Sequence, residues 1–161
     1  MDDNATAGDG RHFEDYAPGL VVECGTVAID EDAIVDFAEQ FDPQEFHTDA
    51  KRAAAGPFGG LVASGWHTAS LMARLLVTRY LSGVSSLGSP GIDELRWTAP
   101  VRPGDVLSVR ATVLEARRSR SKPDRGLVNT LVEIRNQNAD VVLTLKLMNL
   151  IRCRTHREEK T

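Results

Sequence analysis

The chain has 161 residues, 42% of them hydrophobic, which suits one domain with a real core. A net charge of −4 gives no broad attraction to nucleic acid or to an anionic membrane. The longest apolar stretches, such as "VVLTLKLMNLI", are interrupted by Lys146 and Asn149 and are too short to cross a bilayer, and the N-terminus lacks the basic start and apolar core of a signal peptide.

The expected protein is therefore soluble, cytoplasmic and single-domain. Residues 1–15 are polar, small and acidic and read as a poorly ordered tail; 155–161 read as a polar C-terminal tail, with the domain over 16–154. "GLVVECGTVAI" opens that domain with the β-branched content of a strand. Asp30 is placed to cap a helix, with Glu31 and Asp32 in a first turn where the dipole favours negative charge. Ile34, Phe37, Ala38 and Phe41 then fall on one apolar face, and Pro43 disfavours helical geometry at Asp42, so the helix should stop there. The glycines and proline of "AAAGPFGG" predict an irregular loop.

"GWHTASLMARLLVTRY", from Gly65 to Tyr80, is the longest helix candidate. Trp66, Ala69, Leu71, Met72, Leu75 and Leu76 cover more than one of its faces, which predicts that something wraps it. The wrapping should come from "IDELRWTAPV", "DVLSVRATVLEA", "GLVNTLVEIRNQ" and "VVLTLKLMNLIRC", four strand-like runs with short connections. Turn chemistry in "SRSKPDRG" and "NQNAD" makes 105–153 an antiparallel meander. The predicted class is α+β, an antiparallel sheet around one long central helix. Cys24 and Cys153 lie far apart without metal-type spacing and read as buried free thiols, a single disulfide being the alternative.

For chemistry, Ser64 lacks the preceding glycine of a nucleophile elbow, and the glycines of "GPFGGLVASG" match no phosphate or dinucleotide loop. His47 and His67 have no third ligand at a recognised metal spacing, so no metal is expected. The basic run Arg117, Arg118, Arg120, Lys122 and Arg125 reads as a solvated turn, or else as a contact for ligand phosphates. Asp42 and His47 stand out in "FDPQEFHTD". Pro43 fixes the backbone beside Asp42, while Phe41 and Phe46 flank the pair with bulk that could bring its pKa values toward neutrality. Gly65, at the expected helix start, either offers its N–H to a ligand oxygen or simply permits close packing.

The run "FAEQFDPQEFHTDAKRAAAGPFGGLVASGWHTASLMARLL" resembles the MaoC-like acyl dehydratases, the (R)-specific enoyl-CoA hydratase group of the hot-dog fold, and "LRWTAPVRPGDVL" resembles that family's second block. The resemblance runs from about Gly19 to Cys153. The family's Asp-x-Asn-Pro-x-His signature lands on Asp42 to His47, with Gln44 and Glu45 replacing Asn and Pro; against a subgroup with Asp-Pro-Gln-Pro-Phe-His, only Glu45 departs. Ser64-Gly65 stands where His-Gly is usual.

The resemblance implies that Asp42 and His47 activate a water molecule for addition across a trans-2-enoyl thioester, or for the reverse step. It places Gly65, with Ser64 beside it, at the thioester carbonyl and assigns Phe46, Phe58, Gly60 and Trp66 to the acyl pocket. It implies an acyl-CoA substrate, no cofactor, and a homodimer or a higher assembly of dimers. The alternatives are a hot-dog thioesterase, against which the acid-free central helix counts, and a non-catalytic acyl-thioester-binding protein.

Overall fold

The computed structural model describes residues 10–154, and the expectations for 1–9 and 155–161 lie outside it. Strands β3 (Val106–Arg118), β4 (Arg125–Arg135) and β5 (Val141–Arg152) form the expected meander. In β4 the alternation is complete: Val128, Thr130, Val132 and Ile134 are buried, and the residues between them are half-exposed. One face of a pleated strand thus meets the core while the other meets solvent. Strand β1 (Val21–Ala28) pairs with β3, and β2 (Gly91–Trp97) pairs with β5, giving the antiparallel order β1-β3-β4-β5-β2.

Helix α4 (Gly65–Arg79) lies on the inner face of this sheet, in the hot-dog arrangement. Met72 and Leu76 enter the core with Ile134, Leu143, Leu145 and Val109. Its apolar surface is broader than its covered face: Trp66 is 57% and Val77 63% exposed. The sheet therefore covers one side of the helix and leaves the other open in the single chain.

Helix α1 (Glu31–Phe41) starts and stops as its caps require. The Asp30 carboxylate accepts from Ala33 N at 2.8 Å, and Asp42 closes the helix through its N–H to Ala38 O. Two short helices, α2 (Glu45–Thr48) and α3 (Ala50–Ala54), occupy a stretch that reads as loop, and His47 lies on the first of them. The Asp49 side chain caps α3 by accepting from Arg52 N, a local signal easily masked by the glycines that follow.

The expected N-terminal tail needs correction over 10–15. Arg11 donates to the main-chain oxygens of Arg79 and Tyr80, satisfying carbonyls left free at the end of α4. Phe13 packs so closely on Gly126 that a methyl group there would meet its ring at 2.1 Å. Ion pairs from Glu14 to Arg118 and from Asp15 to Arg154 complete the attachment. Cys24 and Cys153 are free and buried, and burial pushes the Cys24 thiol up to about 11. No described helix is long and apolar enough to cross a membrane.

One irregularity in the sheet reaches the cavity. Asp93 lies opposite Lys146 and Arg96 opposite Thr144, so three steps on β2 match two on β5. This bulge is built on Glu94, whose φ of +53° is left-handed and whose carboxylate pairs with Lys146 at 2.8 Å. A non-glycine residue there costs on the order of 1–2 kcal/mol. The bulge reverses the side-chain parity of β2. Ile92 faces Leu147 and Trp97 faces Leu143, and both leucines are buried on the inner face. Leu76, only 2% exposed, anchors α4 in the core; Leu76→Ala should lower the unfolding free energy by about 2–5 kcal/mol in urea denaturation.

Candidate active site

Several chain segments converge on one cavity of about 440 Å³, Phe58, Val62, Ala63 and Val142 among its lining. The α1–α2 junction brings Asp42, Gln44, Phe46 and His47. The start of α4 brings Gly65, Trp66 and Thr68, and the end of β2 with the following loop brings Trp97 to Val101. The wall is mostly apolar, with its polar groups gathered at the first turn of α4.

Asp42 is held at both oxygens. Ser64 Oγ donates to Oδ2 at 2.7 Å and Gln44 Nε2 donates to Oδ1 at 2.8 Å. Burial works against the charge, but these hydrogen bonds, with the His47 ring alongside, outweigh it and keep the carboxyl below its ordinary pKa. The expectation of an acid raised toward neutrality is thus reversed for Asp42. Phe41 does not enclose the pair either; it leans on Phe37 and is 68% exposed. Phe46 does, packing edge-on against His47 at 4.5 Å and against Phe58 at 5.2 Å.

His47 is buried, and its Nδ1 lies 2.6 Å from the carbonyl oxygen of Val62. A carbonyl only accepts, so Nδ1 carries hydrogen and, in the neutral ring, Nε2 is left with its lone pair. That Nε2 lies 3.4 Å from Asp42 Oδ2. In that tautomer two acceptors face one another with no hydrogen between them, an arrangement that a water molecule donating one O–H to each would satisfy.

Ser64 is the buried N-cap of α4, accepting from Trp66 N at 3.2 Å while its own proton goes to Asp42. Its proton is therefore committed to orienting Asp42 rather than to binding a thioester carbonyl. Gly65 follows at the first helical position, and among the described residues nothing accepts from its N–H. Its missing side chain also serves packing, because a methyl group there would lie 2.4 Å from the Trp97 indole. Phe46, Phe58 and Trp66 line the cavity as expected. Gly60 does not line it; the space its side chain would take borders the guanidinium of Arg102, which itself donates to Phe58 O.

The assignments made from sequence omit Gln44 and Trp97. Gln44 is visible as a departure from the Asn of the signature, but Trp97 depends on the β2 bulge and carries no local signal. Glu45 lies outside the cavity wall: it opens α2, where a carboxylate suits the helix dipole, and pairs with Arg52. His67 is also outside it, buried and stacked on Phe37 at 4.6 Å, with burial lowering its pKa. The basic turn lies at the opposite end of β4, where Arg118 pairs with Glu14 and Arg125 with Asp124. Among the described residues, no three His, Cys, Asp or Glu side chains gather as a metal set.

Ser64→Ala would remove both the helix cap and a hydrogen bond to a charged group, a loss of about 2–4 kcal/mol at neutral pH. Since folding depresses the Asp42 pKa, the part owed to Asp42 is present above the unfolded value of about 3.9 and disappears as pH falls through the folded value. Denaturation of both proteins between pH 7 and 3 should show the gap narrowing on the acid side.

A MaoC like domain model matches residues 16–134, well over half the chain. The crystal structure of a MaoC-like dehydratase from Rhodospirillum rubrum superposes with a TM-score of 0.85 at 39% identity, covering 91% of this chain and 99% of that one. An R-hydratase from Pseudomonas aeruginosa superposes with a TM-score of 0.70 at 26% identity, covering 93% of each chain. A 3-hydroxybutyryl-CoA dehydratase from Methylorubrum extorquens is 36% identical over 109 residues, which are 65% of this chain and 64% of that one. The order of elements, the cavity at the start of the central helix and these matches agree, and the chain belongs to the MaoC-like dehydratase family.

Proposed function

We propose that the chain interconverts a trans-2-enoyl-CoA and an (R)-3-hydroxyacyl-CoA by adding or removing water. The observation that carries this reading is the pair of acceptors, Asp42 Oδ2 and His47 Nε2, aimed at one point in a cavity that also exposes the Gly65 N–H. Water bound between them would have its oxygen directed at the substrate. Asp42, kept ionised by Ser64 and Gln44, holds the water and balances the charge that develops on the ring. His47 Nε2 takes the proton.

As the hydroxyl oxygen bonds to the β-carbon, the π electrons shift toward the thioester carbonyl, whose oxygen gains charge facing the Gly65 N–H at the positive end of α4. The imidazolium then gives its proton to the α-carbon, and the carbonyl re-forms. One water is consumed, one C–O and one C–H bond are made, and the site returns to its starting protonation. Dehydration is the same path reversed. The thioesterase reading gains no support from α4, which carries no Asp or Glu.

The active unit in this proposal is a homodimer. Val77 on the open side of α4 and Ile92 on the edge strand β2 leave apolar surface open, which a second copy would cover. The reaction itself, addition of water to a conjugated thioester, needs no cofactor.

Crotonyl-CoA should lose its enoyl absorbance on addition of the protein. Asp42→Asn and His47→Ala should each lower kcat/KM by about 10²-fold or more with an unchanged circular dichroism spectrum. Near-normal turnover in either variant would remove that residue from the mechanism. Release of free thiol from saturated acyl-CoA, without hydration of any enoyl-CoA, would instead establish a thioesterase.

A further inference from the structure

Trp97 ends β2 and faces inward only because the bulge at Glu94 reverses the parity of that strand. Its indole rests on Gly65: a methyl group at Gly65 would meet Nε1 and Cε2 at 2.4 Å and Cδ1 at 2.8 Å. The ring also meets Trp66 edge-to-face, with centroids 5.2 Å apart. Both rings line the cavity that Gly65 also lines, so aromatic surface forms part of its wall beside the start of α4.

This placement has a chemical consequence. A trans-2-enoyl thioester is flat from the β-carbon to the sulfur, because its double bond is conjugated with the carbonyl. Hydrated or saturated chains have tetrahedral α- and β-carbons, whose out-of-plane hydrogens keep them from stacking as closely on a ring. An aromatic wall next to the carbonyl contact therefore distinguishes the two by shape and by π-contact.

We propose that Trp97 is the positioning and specificity residue of this site, supplying the face on which a planar conjugated thioester lies while its carbonyl reaches Gly65. The inference rests on the reading of the cavity as an enoyl-thioester site. Two requirements then meet in Gly65: it must leave space for the indole as well as expose its N–H. Glu94 and Lys146, exposed and remote from the reacting atoms, act only by holding the bulge that aims the ring.

Binding and packing are tested separately. In an Asp42→Asn background, which slows turnover, calorimetry compares crotonyl-CoA with butyryl-CoA, two thioesters of equal length. Crotonyl-CoA should bind about fivefold more tightly. Adding Trp97→Leu should bring the ratio to about one, and Trp97→Phe should keep most of it. A ratio unchanged by Trp97→Leu overturns the role of Trp97 while leaving the proposed reaction standing; absence of binding of either thioester to the unaltered protein overturns both.

For packing, Gly65→Ala should lower the melting temperature, and Gly65→Ala with Trp97→Leu should recover it. A Gly65→Ala protein that melts like the original would refute the contact. In catalysis, Trp97→Phe should restore the KM for crotonyl-CoA that Trp97→Leu raises, with kcat changing less than KM, a split that general loosening of the fold would not produce.

Discussion

A single hydroxyl, that of Ser64, joins the start of the central helix to the charge of Asp42. Its oxygen accepts from Trp66 N and its proton goes to Asp42 Oδ2. A serine hydroxyl has one proton to give, so the two bonds fix its orientation. The helix then begins at Gly65, one residue from the carboxylate's anchor, and the exposed N–H falls on the same cavity as the acid. In the proposed reaction, the handling of developing charge follows from that one-residue offset.

The histidine is oriented by a different means. Its outer nitrogen bonds a main-chain carbonyl, its edge meets Phe46, and its inner nitrogen is left as an acceptor toward Asp42. Donors surround the carboxylate and hold its pKa below the ordinary value, while the ring meets a carbonyl acceptor and an aromatic edge. Their neighbours thereby set the two groups apart, one held by donors and the other oriented by an acceptor. The sheet contributes rigidity and, through the β2 bulge, one aromatic wall.

Much of this can be read from the chain itself. The β3–β5 meander shows because strand-like runs are joined by turn residues, with an unbroken alternation in β4, and α1 shows because Asp30 and Pro43 mark its ends. The long run without proline or internal glycine marks α4. Asp42, His47 and Gly65 come through the resemblance, and the cavity unites them.

Other features depend on geometry that pattern does not encode. Helices α2 and α3 are about one turn each, too short for a hydrophobic period to repeat. Ser64 acquires its role from a carboxylate 22 positions earlier. Trp97 lies on the inner face only after a bulge whose central residue is glutamate rather than the glycine a reader of sequences would look for. Gly60 lies in a glycine-rich loop that suggests ligand contact, but it borders Arg102 and lies outside the cavity wall.

The acceptor that sets the His47 tautomer is a peptide carbonyl, so it belongs to position 62 whatever side chain stands there. The same segment is tied on both sides by main chain, Val62 N to Phe46 O and Ala63 N to Val101 O. Val62 and Ala63 also line the cavity. Substitution at these positions can therefore reshape the cavity wall without removing the carbonyl that orients His47. Under the proposed reaction, such an arrangement would let one chemistry serve different substrates, because the parts that change and the parts that must stay are carried by different atoms of the same residues.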